Sequence, residues 1–193
     1  MEPLEVLHDV ALKLASLQIP YMVGGSFAGS YYGFARNTQD ADLIVSMKMG
    51  DVDGFVKAFS EDYYLDRNSV EEALRRRTSF NLIHFRLSFK VDFFMLRPEG
   101  FHQESFARRL PTRMGFEKKV EAFLQSAEDT VLAKLDWYRQ DGEVSELQWR
   151  DVVGILKVQA GRLDMKYLDR WARELGVLDL LTRAFGDAGV QPA

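Results

Sequence analysis

Two aspartates two positions apart give the clearest indication of chemistry in this chain of 193 residues. Asp40 and Asp42 stand at the start of a segment, residues 41–47, whose Leu, Ile and Val content predicts a β-strand. Because side chains alternate along a strand, both carboxylates share one face, with Cα atoms ~6.6 Å apart. Like charges this close repel unless a cation neutralises them. Magnesium fits that role, and two ions ~3.5–4 Å apart can hold both oxygens of a displacement at phosphorus.

Asp92 is a candidate third carboxylate. It interrupts an otherwise apolar strand-like run, residues 89–94, where a charge is costly unless it is paired or bound to a metal. If this strand lies beside that of Asp42, three carboxylates converge, and Asp92 serves as a metal ligand or as the base for an acceptor hydroxyl. Alternatively, Asp92 forms an ion pair with Arg86 or Lys90.

The segment Gly24-Gly25-Ser26 precedes the aspartates and has the features of a phosphate site. The two glycines allow a close backbone approach and unusual dihedral angles, and Ser26 adds a hydroxyl as a possible cap of a helix that extends to about residue 33. The free N–H groups at the start of a helix attract anions. A Gly-Gly-Ser sequence can also be a simple turn, so its value lies in the combination with the aspartates.

Apolar periodicity predicts the elements that position these residues. Residues 3–17, 51–59 and 69–77 are predicted helices, and short strands are predicted at 21–23, 41–47, 80–87 and 89–96, the last two as a hairpin. The turn signal Pro98-Glu99-Gly100 is a candidate end of the sheet. Residues 101–125 are predicted to be irregular, with a short strand near 120–124.

The last third of the chain reads as helical. Helices are predicted over residues 127–140, 144–160, 164–175 and 177–186, with glycines between them. The predicted fold is therefore α+β: a small mixed β-sheet core flanked by helices over residues 1–100, a connecting segment over 101–125, and a C-terminal helical bundle over 126–193.

Composition narrows the classes of function. The net charge of −4 argues against a general nucleic-acid binder, and the lack of cysteine excludes disulfides, thiolate zinc sites and a cysteine nucleophile. The three histidines are too scattered for a zinc cluster. Residues 75–77, three consecutive arginines, are favoured as a solvated helix end over a site for triphosphate or RNA. Neither a signal-peptide layout nor a membrane-length apolar run is present, so we expect a cytoplasmic protein.

The glycine and aspartate motifs together resemble the signature of the DNA polymerase beta-like nucleotidyltransferase superfamily. The resemblance rests on Gly24-Gly25-Ser26 and on residues 33–45, GFARNTQDADLIV, which look like the minimal bacterial enzymes of that superfamily. It implies a mixed sheet flanked by helices and a helical domain. It also implies magnesium-dependent transfer of a nucleoside monophosphate to an acceptor hydroxyl.

Two later segments, residues 128–135 and 148–153, are similar to motifs of the AbiEii-type toxin nucleotidyltransferases. In that family the lysine matching Lys134 contacts the nucleoside triphosphate, and the aspartate matching Asp151 lies in the active site. From the residues alone, Lys134 could equally be a surface lysine whose ammonium reaches solvent from the edge of an apolar helix face, and Asp151 could form a surface pair with a neighbouring helix. Arg36 could contact a phosphate or pair with one of the two aspartates of the motif.

The expected function is therefore that of a magnesium-dependent nucleotidyltransferase. Its acceptor would be an RNA such as tRNA, a protein or a small molecule, and an antitoxin protein is an expected partner if the toxin resemblance holds. The alternative is a non-catalytic member of the same fold that acts as a binding or partner protein.

Overall fold

The computed structural model describes residues 3–115 and 120–191. Its strands form one seven-stranded sheet in the order β3-β4-β5-β2-β1-β7-β6. The strands are β1 (Tyr21–Val23), β2 (Asp40–Val45), β3 (Tyr63–Tyr64), β4 (Ser79–His84), β5 (Lys90–Met95), β6 (Leu110–Met114) and β7 (Val120–Leu124). The sheet is mixed, because β5 is parallel to β2 and β7 is parallel to β1, whereas the other neighbours are antiparallel.

The helices of the described residues begin and end close to the predicted bounds where an apolar stripe marks them. They are α1 (Pro3–Ser16), α2 (Gly25–Tyr32), α3 (Val52–Phe59), α4 (Arg67–Arg76), α5 (Gly100–Ala107), α6 (Ala127–Gln140), α7 (Glu146–Val158), α8 (Met165–Glu174) and α9 (Leu178–Ala188), with a 3-10 turn at Met49–Asp51. The predicted α+β fold, a mixed sheet with helices followed by a helical region, is confirmed.

Period-two patterning fixes the faces of the central strands. Ala41, Leu43 and Val45 of β2 are buried, and so are the alternate residues of β5, including Val91 and Phe93. Phe93 packs against Phe55 and against other aromatic rings of the core. The buried apolar face thus forces the intervening polar residues of both strands onto the opposite face.

Residues 98–115 and 120–125 depart in part from the sequence prediction. The strand near 120–124 is confirmed as β7, but helix α5 and strand β6 were not predicted, and the sheet does not end at Pro98 because β7 and β6 extend it on the far side of β1. Strand β6 contains Pro111, and proline argues against a strand unless that strand lies at the edge of a sheet. The structure places β6 at such an edge.

The chain divides into two compact units. The first comprises Met1–Ser26 and Asn37–Gln125 and contains the sheet, and the second comprises Phe27–Arg36 and Ser126–Ala193. In the described part of the chain, no helix has both the length and the apolar character needed to cross a membrane.

Candidate functional site

The sheet register brings two of the predicted carboxylates side by side. Strands β2 and β5 pair in parallel with Asp42 opposite Asp92, and β4 continues this row with Asn81 opposite Asp92. Asp40 shares the face because it lies two residues before Asp42, and its register partner is Lys90. Asp40, Asp42 and Asp92 therefore lie on one face of the sheet, hereafter the acidic face.

Gly25 lies directly against the carboxylate of Asp42. A Cβ atom at Gly25 would be 2.6 Å from Cγ and 2.8 Å from Cβ of Asp42, and Gly25 has a φ of +53° that side chains disfavour. The backbone N–H of Gly24 also donates to the carbonyl oxygen of Asp42 at 2.9 Å. The start of α2 and the acidic face are thus in contact, and only glycine allows that contact at position 25.

Position 24 is restricted by a residue that sequence reasoning missed. A Cβ at Gly24 would lie 3.1 Å from Oε1 of Gln125, a buried side chain whose amide also donates to Ser105 at 3.2 Å. Ser26 lies in the first turn of α2 rather than at its N-cap, since the helix begins at Gly25. Its predicted role as helix cap is therefore wrong.

The acidic face carries a cation of its own. The ammonium of Lys90 donates to Oδ2 of Asp92 at 2.6 Å, one of the two ion-pair alternatives predicted from the sequence. This hydrogen bond raises the pKa of Lys90, burial opposes the increase, and the charges of Asp92, Asp40 and Asp42 add to it. Asp40 has a separate partner, because the hydroxyl of Thr38 lies 3.0 Å from its Oδ1.

The side chains of the acidic face are suited to a hard divalent cation by the type of their donor atoms and by their placement on neighbouring strands. Carboxylate oxygens are the ligands that Mg²⁺ prefers, and Asp42 and Asp92 are neighbours on adjacent strands. Within the described residues, no three acidic or histidine side chains already converge as a metal-holding group. Lys90 occupies Oδ2 of Asp92, so a cation that uses the same oxygen must displace the ammonium.

The second unit contains a buried ion cluster around Asp151. Lys134 donates to Oδ2 of Asp151 at 2.9 Å and to Oε1 of Gln148 at 2.8 Å. Arg36 makes a bidentate contact with the same carboxylate, with both distances 3.1 Å. The side chains of Lys134 and Asp151 are 5% and 7% exposed, so neither is a solvated surface residue.

The cluster settles part of the ambiguity about these residues. The predicted pairing of Asp151 with a neighbouring helix is confirmed, because Lys134 comes from α6, but the pair is buried rather than at the surface. The alternative of a solvent-reaching Lys134 is wrong. Arg36 contacts Asp151, a partner that the sequence did not suggest. Burial raises the pKa of Asp151, but hydrogen bonds and charges from Arg36 and Lys134 outweigh it, so its pKa is lowered overall.

A glycine makes room for this cluster. A Cβ at Gly29 in α2 would lie 3.0 Å from Cε of Lys134 and 3.5 Å from Oδ2 of Asp151. The sequence offers only a weak signal for Gly29, a glycine inside a predicted helix.

The arginines of residues 75–77 behave as predicted for a helix end, since Arg75 and Arg76 pair with glutamates of α4 one turn earlier.

Two solved structures match most of this chain. The crystal structure of an antigenic nucleotidyltransferase-like protein from Paracoccidioides brasiliensis matches with a TM-score of 0.56 at 19% identity, over 95% of this chain and 92% of that chain. The solution structure of the antibiotic-resistance factor ANT(2'')-Ia matches with a TM-score of 0.49 at 15% identity, over 96% of this chain and 93% of that chain. No protein-family model matches the sequence, and no curated protein does. The chain therefore has the fold of a nucleotidyltransferase-like protein.

Proposed function

We propose that this protein is a magnesium-dependent nucleotidyltransferase that transfers a nucleoside monophosphate from a nucleoside triphosphate to an acceptor hydroxyl. The observation that carries the proposal is the register of β2 and β5, which places Asp42 beside Asp92 with Asp40 on the same face. The contact of this face with Gly25, at the start of α2, supports a phosphate site next to the carboxylates. The fold of a nucleotidyltransferase-like protein agrees with it.

In the proposed reaction, the acceptor oxygen forms a bond to the α-phosphorus while the bond from that phosphorus to the bridging oxygen breaks. Pyrophosphate leaves with the electron pair, and the proton of the acceptor hydroxyl passes to a carboxylate. Asp40 and Asp42 would hold magnesium, and Asp92 either completes the ligand set or accepts the proton. Bound magnesium neutralises charge on the phosphate oxygens. The protein mainly positions the reactants.

The nucleotide-contact roles of the remaining predicted residues have separate support. Gly24 directly precedes α2, and Gly25 and Ser26 begin its first turn, where the positive end of the helix dipole favours a phosphate. For Arg36, Lys134 and Asp151, the proposed contact with the nucleotide rests on the family resemblance. Their mutual ion pairs give them a structural role in the second unit in addition.

The identity of the acceptor and the biological setting are further proposals from the resemblance. We propose an RNA, protein or small-molecule hydroxyl as acceptor, and a toxin–antitoxin pair as the setting, with an antitoxin as protein partner. A direct screen with each class of acceptor decides among them.

A second candidate function is favoured by one observation. Lys90 pairs with Asp92 at 2.6 Å, and an ammonium that stays on this carboxylate would replace the metal. The protein would then be a non-catalytic member of its fold that binds a nucleotide or a partner protein. Binding of a divalent cation to the acidic face separates the two candidates.

The test is transfer of label from each of the four α-labelled nucleoside triphosphates with magnesium, offered tRNA, total cell protein and small hydroxyl compounds. Asp40→Asn and Asp42→Asn should abolish labelling, because each removes a carboxylate with little change of shape. Asp141→Asn, at an exposed position after α6, is the matched control and should label normally. Labelling that survives both substitutions on the acidic face would exclude the proposed site.

A further inference from the structure

Lys90 is a charged residue of the acidic face that the proposed reaction does not use. Its side chain is 43% exposed, whereas that of its partner Asp92 is 17% exposed. A long lysine side chain with a solvent-accessible end can move its ammonium by rotation while its alkyl stem stays in place. The backbone of Asp92, in contrast, is fixed in the sheet by its register with Asp42 and Asn81 on the neighbouring strands.

The position of Lys90 in the register brings its charge close to every carboxylate of the acidic face. It is opposite Asp40 across the β2–β5 pair and two residues before Asp92 on the same face of β5. Three carboxylates without a counter-ion would repel one another. Lys90 therefore reduces that repulsion, and it does so by contacting the carboxylate of Asp92, which is one of the ligands proposed for the divalent cation.

We propose that Lys90 is a tethered counter-ion that competes with the divalent cation for Asp92, so that metal binding displaces its ammonium from that carboxylate. Lys90 is thus a positioning residue that sets the metal affinity of the acidic face. This inference rests on the proposed function, since it assumes that the acidic face binds a cation. Removal of one positive charge at this distance is expected to tighten divalent cation binding about tenfold.

The test is titration of the full chain with Mn²⁺ alone, followed by electron paramagnetic resonance of the free ion. Lys90→Met removes the charge and keeps the length of the side chain, and Lys90→Gln serves as a second neutral variant if the first does not fold by circular dichroism. Lys90→Arg retains the charge. Lys57→Met, at an exposed position of α3, is the control for the change in net charge.

We expect the neutral variants to bind Mn²⁺ about tenfold more tightly than the wild-type chain, and Lys90→Arg and Lys57→Met to match the wild type. Binding seen only in the neutral variants supports the inference as well, and it favours the non-catalytic candidate for the wild type. Equal affinity in all the chains, or an equal gain from Lys57→Met, overturns the role of Lys90 and leaves the proposed function standing. No binding by any chain overturns both.

Discussion

Gly25 contacts the carboxylate of Asp42 so closely that no side chain fits between them. A Cβ at position 25 would lie 2.6 Å from Cγ of Asp42, and the backbone there has a φ of +53°. The glycine and the aspartate are 17 positions apart in the sequence, yet each restricts the other. The contact joins the start of α2 to the acidic face, and it gives the first prediction.

Gly25→Ala should displace Asp42 and lower the transfer rate about 100-fold, the effect expected when a reacting group moves by ~1 Å. The left-handed backbone adds a cost of about 1–2 kcal/mol to folding. Single-turnover rates and urea unfolding measure the two effects. Gly50→Ala is the control, since a Cβ there meets nothing within 4 Å. A Gly25→Ala variant with normal rate contradicts the proposed geometry.

Asp42→Asn should stabilise the metal-free protein while it abolishes transfer. Asp42 lies opposite Asp92 on the neighbouring strand, and like charges held close together destabilise the folded state. Magnesium should raise the melting temperature of the wild-type chain, because a ligand that binds only the folded state stabilises it, and should have much less effect on the variant. Thermal unfolding with and without magnesium measures both. An equal magnesium shift in the two proteins would argue against a metal at this face.

Asp151→Asn should destabilise the second unit by about 3–5 kcal/mol, because it leaves two cations without their shared carboxylate in a buried setting. Lys134, which is 5% exposed, bears most of that cost. Lys134→Met in the Asp151→Asn background should recover part of the loss. Asp169→Asn, which breaks an exposed pair with Arg173, is the control and should hardly change urea unfolding. A loss no larger than that of the control contradicts the buried-cluster assignment.

The same carboxylate predicts a pH dependence. The pKa of Asp151 in the folded state lies below its ordinary value of 3.8, so its contribution to stability is complete above that value and is lost as the pH falls through the folded-state pKa. The stability difference between wild type and Asp151→Asn should therefore be constant at pH 5–7 and shrink below about pH 4. Urea unfolding across this range measures it. A difference that grows on acidification would show that the sign is wrong.

Two helical glycines should respond in opposite ways to the same substitution. Gly186→Ala in α9 places a methyl group in open space and should stabilise the protein by about 0.5–1 kcal/mol through the helix preference of alanine. Gly29→Ala places it 3.0 Å from Cε of Lys134, whose ammonium is fixed by two hydrogen bonds, and should give no gain or a loss. Melting temperatures of the two variants test this. Equal gains in melting temperature would show that the side chain of Lys134 moves aside at little cost.

The glycine and aspartate motifs and the order of most helices and strands could be recognised in the sequence because they depend on local patterns. Period-two alternation places Asp40 and Asp42 on one face whatever surrounds the strand, and the strand register confirms this placement. Helices α6 to α9 follow from apolar stripes bounded by glycines. Elements without such a pattern were missed: β3 has two residues, and α5 buries serine together with phenylalanine.

The sequence alone determined which residues carry the charges and which of them share a strand face. Only the tertiary structure decided which charges meet. The parallel register of β2 and β5 puts Asp92 beside Asp42, and Lys90 rather than Arg86 takes the ion pair. Arg36 reaches Asp151 across 115 positions. Such partners depend on how distant segments pair with one another. That pairing is determined by the burial of apolar faces throughout the chain, so no local motif encodes it.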